Sequence, residues 1–182
     1  MPVRRFAPRT ARELRVALRV FACASGRARS DARFGPIEHW DLRQLRSLRG
    51  AAAGLRGFDA DLSAWDVSRI TDARRAFAGC RAFRGRGLAE WDVSSIRVAD
   101  SMFEGCRALD EPLWCWQPLE LRSARRMFHG AARTTFPWRS LACWPLPALR
   151  FSRHMIGRRD ADPPARARLR GLWSQLGVFV VT

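Results

Sequence analysis

Three residue types in this chain have side chains suited to ligation or reaction: cysteine, histidine and an aspartate that recurs after tryptophan. The five cysteines, Cys23, Cys80, Cys106, Cys115 and Cys143, include no CxxC pair. Neither a zinc ribbon nor a thioredoxin-type redox site is therefore indicated, and reduced, mostly buried thiols are expected. His39, His129 and His154 form no HExxH pair, so no metal site is expected from them. Asp41, Asp66 and Asp92 each follow a tryptophan. They would form an acidic ladder for a cation or, more simply, accept hydrogen bonds from turn amides. There is no GxSxG, no phosphate-binding GxxxxGK[ST] and no GxGxxG after a strand. No constellation suits acid–base or nucleophilic work. The expectation is a protein that is not an enzyme and needs no cofactor.

The remaining chemistry is charge. All 33 basic residues are arginine, against 17 acids, for a formal net charge of +16. Lysine, asparagine and tyrosine are absent. Those three have AT-rich codons, so part of the arginine excess reflects base composition. The charge is also uneven: residues 1–58 carry 13 Arg and 4 acids, 59–121 carry 8 and 11, and 122–182 carry 12 and 2. A polyanion reading thus rests on basic flanks around a mildly acidic centre. Within that centre, Arg84-Gly85-Arg86-Gly87 has the look of an RGG fragment but falls where a glycine turn is needed.

What positions these residues is a repeat. Trp40, Trp65, Trp91, Trp116 and Trp144 are 25, 26, 25 and 28 residues apart. The segments AWDVSRITDARRAFAGCRAF and EWDVSSIRVADSMFEGCRAL match almost position for position. Apolar residues recur in register after each tryptophan, among them Phe77, Phe103 and Phe128. Stacked repeats would bury this row against one another. Cys80 with Cys106, and Cys115 with Cys143, would also lie near enough for disulfides in a regular stack. A spacing of 25 residues excludes a WD-type propeller, whose blades need about 40–45. Residues 62–67 and 88–93 read as short strands. Residues 71–78 and 98–104 read as short helices stopped by Gly79 and Gly105.

Three segments follow. Residues 1–34 form an N-terminal arm and capping helix, opened by the capping box Thr10-Ala11-Arg12-Glu13. Leu14, Ala17, Leu18 and Phe21 lie on one helix face, and a loop at 26–31 follows. Residues 35–157 are the repeats. Residues 158–182 are a charged linker (160–170) and an apolar tail (172–181) that folds back as a cap. No apolar run reaches the roughly 18 residues of a membrane span, and no signal-peptide pattern opens the chain. An intracellular protein is expected.

The motif WDVSxI…MFxGC…F resembles the BspA-like leucine-rich-repeat family. It is most similar to the tryptophan-bearing repeats of mycoplasma lipoproteins, also found in protists, algae and large DNA viruses. Residues 58–83 follow that repeat closely. Thr10, Glu13, Leu14, Ala17, Phe21, Gly35, Ile37, Trp40 and Asp41 are similar to the family's leader. The resemblance implies an α/β leucine-rich-repeat-like solenoid of about five repeats, each a short strand plus a helical turn. It implies no catalytic residues, and an adhesin-like surface role is known for some relatives. The expected function is a non-catalytic protein-interaction scaffold using Ser63, Arg69, Glu90, Ser95 and Arg97. The alternative is electrostatic binding of nucleic acid or another polyanion through Arg4, Arg5, Arg122, Arg125, Arg126, Arg158 and Arg159.

Overall fold

A computed structural model describes residues 5–23, 26–131, 144–150 and 155. Helix α1 (Ala11–Ala22) starts where the capping box placed it: Thr10 Oγ1 accepts the Glu13 amide at 3.2 Å. Glu13 reaches back one residue further than the usual box and accepts the Arg9 amide at 2.8 Å. Leu14, Ala17 and Leu18 are fully buried and belong to the same apolar core as the repeats.

Residues 26–31, expected as a loop, lie instead in helix α2 (Gly26–Phe34). Its sequence has no apolar period, so nothing local announces it. Tertiary packing supplies what the sequence lacks. Phe34 closes the helix inside an aromatic cluster with Phe6 (4.7 Å between centroids) and Trp40 (6.1 Å).

The strand-plus-helix solenoid of leucine-rich-repeat type does not form. Among the described residues there is no strand and no sheet. The two α-helices both precede the repeats, and the only ladder contacts are three isolated parallel bridges, Ser47–Asp72, Asp72–Val98 and Val98–Ser123. Each repeat is a coil of turns bonded to the next one. In residues 71–78 an α-helix would return every N–H to the carbonyl four residues back. Here Ala73, Arg75, Phe77 and Gly79 donate to Val98, Asp100, Met102 and Glu104, at 2.7 to 2.9 Å. The alternate residues Ala76, Ala78 and Cys80 close turns onto Ala73, Arg75 and Phe77. Arg75 has φ 54, a left-handed value that interrupts any α-helix. The expected strand at 62–67 is likewise closed by a turn, Trp65 N–H to Leu62 O at 3.1 Å. At 88–93 the chain makes a 3-10 turn, Leu88–Glu90.

The same bonds recur from layer to layer. Leu48, Gly50, Ala52 and Gly54 donate to Asp72, Arg74, Ala76 and Ala78, and Ala99, Ser101, Phe103 and Gly105 to Ser123, Arg125, Met127 and His129. A second rail joins position 6 of successive layers, Thr71 to Arg46, Arg97 to Thr71, Arg122 to Arg97 and Arg150 to Arg122. The register therefore reaches the proline-broken last repeat. Phe128 N–H donates to Met155 O at 2.8 Å, as the shared numbering requires.

The five repeat tryptophans, Trp40, Trp65, Trp91, Trp116 and Trp144, fill the interior. Trp40–Trp65 and Trp65–Trp91 rings stack with centroids 6.4 Å apart, and Trp116–Trp144 at 5.4 Å. Buried indoles need an acceptor: Trp40 finds Gly35 O just ahead of it, and the other four find one in the layer before. Trp65, Trp91, Trp116 and Trp144 donate to Ile37, Leu62, Leu88 and Leu113. Phe77, Phe103 and Phe128 make a parallel column, 5.7 and 5.5 Å apart. At the N-terminal end α1 covers the first layer, with Phe21 against Phe58 and Arg15 Nε donating to Gly50 O at 2.8 Å.

Candidate interaction surface

The residues that suggested chemistry are mostly absorbed by the scaffold. Asp41, Asp66 and Asp92 accept the amides of Arg43, Ser68 and Ser94 through Oδ1 at 3.0 to 3.1 Å. These are the turn bonds expected of them. The Arg43 guanidinium, bonded to both carboxylate oxygens, holds Asp41 down to a pKa of about 2. The Ser68 hydroxyl and amide lower that of Asp66. Burial opposes ionisation of Asp72, yet two side-chain bonds and one amide bond from Arg74 hold it below its ordinary value.

Cys80 and Cys106 are free and buried. Their Sγ atoms contact the Ala52 and Phe77 carbonyls of the preceding layer at 3.0 and 3.1 Å. Burial pushes the Cys80 thiol up to about 12 and the Cys106 thiol well above its usual value. Thiols so placed are protonated and poor nucleophiles. Cys23 and Cys115 are also free, and exposed. Cys143 and His154 lie outside the described residues. His39 is exposed and His129 half-buried, in different layers.

Arg84-Gly85-Arg86-Gly87 is an inter-repeat turn, with φ 92 at Gly85 and 85 at Gly87. A Cβ on Gly87 would lie 2.1 Å from the Ser63 nitrogen. Only glycine fits there. The two arginines are tied to Asp59, Arg84 through its amide and Arg86 through its guanidinium.

A family model described as "Mycoplasma protein of unknown function, DUF285" matches residues 21–139 of the 182. The chain belongs to this family. No curated protein and no solved structure matches it. The match runs from the end of α1 into the fourth DUF285 layer, and the family carries no assigned activity.

The outer surface of the DUF285 repeats places the remaining candidates. Ser63, Arg69, Glu90 and Arg97 are exposed, and Ser95 is half-buried. Arg69 and Ser95 share position 4 after their tryptophans, where Gln44 and Glu120 stand in the neighbouring layers. Arg69 reaches back to the Arg43 carbonyl, and Arg97 pairs with Glu120 at 2.8 Å. Among the basic candidates, Arg5, Arg122, Arg125 and Arg126 are exposed. Arg5 flanks the Trp40 layer while the other three belong to the Trp116 layer, so they do not form one patch. Arg126 is occupied by Glu104. Arg4, Arg158 and Arg159, the linker and the apolar tail lie outside the described residues.

Trp114 and Leu119 were missed as surface candidates. They are 61% and 45% exposed. The signal was in the alignment: Trp114 holds the place of Ser63, and Leu119 that of Arg43, Ser68 and Ser94. A large apolar residue at a polar repeat position has no core to enter. Among the described residues no helix is long and apolar enough to cross a membrane.

Proposed function

We propose that this chain is a non-catalytic protein-interaction module that displays side chains on a fixed, layered backbone. One observation carries the reading. Position 4 runs Gln44, Arg69, Ser95, Glu120, and the position two before the tryptophan runs Glu38, Ser63, Ala89, Trp114. The inward positions stay apolar throughout. A backbone that repeats while its outward residues change suits selective binding. Trp114 is the natural anchor, because exposed tryptophan is enriched at interface hot spots. The narrower kinship to BspA-like proteins belongs to the same proposal and rests on the WDVSxI…MFxGC motif.

The test is affinity capture with the immobilised chain beside its Trp114→Ser and Arg69→Ala variants, followed by a salt wash. The module reading expects a discrete protein retained by the parent and lost with Trp114→Ser. Capture of nucleic acid alone, released by salt regardless of Trp114, would support the basic flanks instead. Retention on intact cell surfaces alone would favour the adhesin role.

A further inference from the structure

Arg15, Arg56, Arg75 and Arg81 line one surface groove of about 550 Å³, together with Ala53, Gly54, Ala78, Gly79 and Glu104. They come from α1 and from two successive layers, about a repeat apart in the chain, so no charge run reveals them. We infer that this groove is a binding site for a short oligophosphate anion, a chain of linked phosphates with no base attached.

Charge balance is the first argument. Several arginines elsewhere are paired locally: Arg43 with Asp41, Arg74 with Asp72, Arg86 with Asp59, Arg97 with Glu120. In the groove, Arg56, Arg75 and Arg81 have no ion pair among the described residues. The only carboxylate, Glu104, is already held by Arg126. Four arginines, of which Arg15 is also bonded through Nε to Gly50 O, thus line the groove against one occupied acid, and a multiply charged anion would balance them. Guanidinium forks bind phosphate oxygens in pairs, with geometry as well as charge.

Shape is the second. Gly54 and Gly79 put bare backbone in the lining, so an anion can approach closely. The volume falls within the roughly 300–1,000 Å³ of small-ligand sites. Arg56 and Arg81 share position 16 in adjacent layers, and exposed Arg107 continues the row. Arg75 takes a left-handed φ at the position where the first layer has Gly50. The lining contains no aromatic ring, so it lacks the platform on which single-strand binders stack successive bases. That selects a phosphate chain over a single-stranded nucleic acid. The groove lies apart from Trp114 in the sequence and shares no residue with the proposed protein interface, so the two readings stand or fall separately.

The experiment is calorimetric titration of the full chain with inorganic tripolyphosphate at about 0.15 M salt. One equivalent is expected to bind. The variant Arg56→Ser/Arg75→Gly/Arg81→Ser should weaken binding about ten-fold or more. Glycine suits the left-handed position, and the other two sites are exposed, so the fold should hold. Arg29→Ser/Arg46→Ser/Arg150→Ser removes the same charge from other exposed places and should leave the affinity within about two-fold. If the triple groove variant loses its cooperative thermal transition, Arg56→Ser and Arg81→Ser carry the test singly, each with a measurable loss. Four outcomes overturn the proposal. These are no tripolyphosphate binding, equal losses in the two triple variants, orthophosphate binding as tightly as tripolyphosphate, or a short oligonucleotide displacing tripolyphosphate at far lower concentration.

Discussion

The helical cap and the middle layers solve one problem in opposite ways. In α1 the backbone satisfies itself locally, and an apolar stripe of period 3.6 is all that needs a partner. In the Trp65 and Trp91 layers half the ladder amides bond only to a carbonyl about 25 residues away. Each layer is therefore unsatisfied without its neighbour, whereas α1 loses only buried area. Stability in the stack is consequently a property of interfaces between layers. Substitutions there should spread further than substitutions in the helical cap.

The largest contrast is between Trp91→Ala and Leu14→Ala. Trp91 stacks on Trp65 at 12° between planes, touches Phe77 and donates to Leu62 O. Its loss opens a cavity between layers and should cost about 3–5 kcal/mol. It also leaves the Leu62 carbonyl without its indole donor, worth about 1 kcal/mol more. Leu14→Ala removes one buried side chain from a helix that keeps its own hydrogen bonds, and should cost about 2–3 kcal/mol. Chemical denaturation of both variants decides. A Trp91→Ala midpoint equal to the parent, or a larger loss for Leu14→Ala, would break the comparison.

Glycines sharpen it. Gly87→Ala drives a Cβ to 2.1 Å from the Ser63 nitrogen of the preceding layer, backbone against backbone. Separating the layers there should cost about 3 kcal/mol. Gly35, between α2 and the first layer, has φ 73 and open space around it. Alanine there meets only left-handed strain, about 1 kcal/mol. Thermal melts that rank Gly35→Ala as the worse variant would show that the layers are not held at this turn.

These particulars explain what was legible. Trp65 and Trp91 are near-identical in context, so the period, the register and the inward residues could be read directly. The conformation between them could not. Residues 71–78 have an apolar pattern that suits a helix, yet Arg75 and Phe77 send their amides to another layer, a partner no local window contains. Strands at 62–67 failed for the related reason that Trp65 closes a turn onto Leu62. Helix α2 was invisible because Phe34, its anchor, works through Phe6 and Trp40. The oligophosphate groove was hidden because α1 brings Arg15 to Arg56, Arg75 and Arg81. The tryptophan alignment itself carries the row Arg56, Arg81, Arg107 at position 16.

A smaller effect separates the cap from the stack at the level of single hydrogen bonds. Thr10→Ala removes the side-chain acceptor of the Glu13 amide, and exposed N-caps of this kind contribute about 1 kcal/mol. Because α1 covers the first layer, the loss should appear as a lower global midpoint. Amide exchange confined to residues 10–14 with an unchanged midpoint would mean that the helix frays without loosening the stack.

The smallest expected effect is acid sensitivity at the first layer. Asp41 has a folded pKa of about 2 against an ordinary 3.8, chiefly through its bonds from the Arg43 side chain. A carboxylate whose pKa is depressed by folding stabilises the native state while it is ionised. The contribution is complete above the ordinary value and is lost as pH falls from 3.8 towards 2. Arg43 is exposed, so solvent screens the pair and its worth is small. Asp41→Asn should therefore differ slightly from the parent near neutral pH, and the two stability curves should converge below pH 3.8. Glu111 works in the opposite sense. Burial, with Asp110, Asp61 and Glu90 nearby, raises its pKa, so its protonated form is favoured by folding and that contribution fades as pH rises through the folded value. Glu111→Gln should thus gain on the parent at neutral pH and lose that gain in acid. Stability curves of Asp41→Asn and the parent that coincide from neutral pH through the whole acid range would mean that the Asp41 amide bond, which asparagine retains, matters and the Arg43 charge does not.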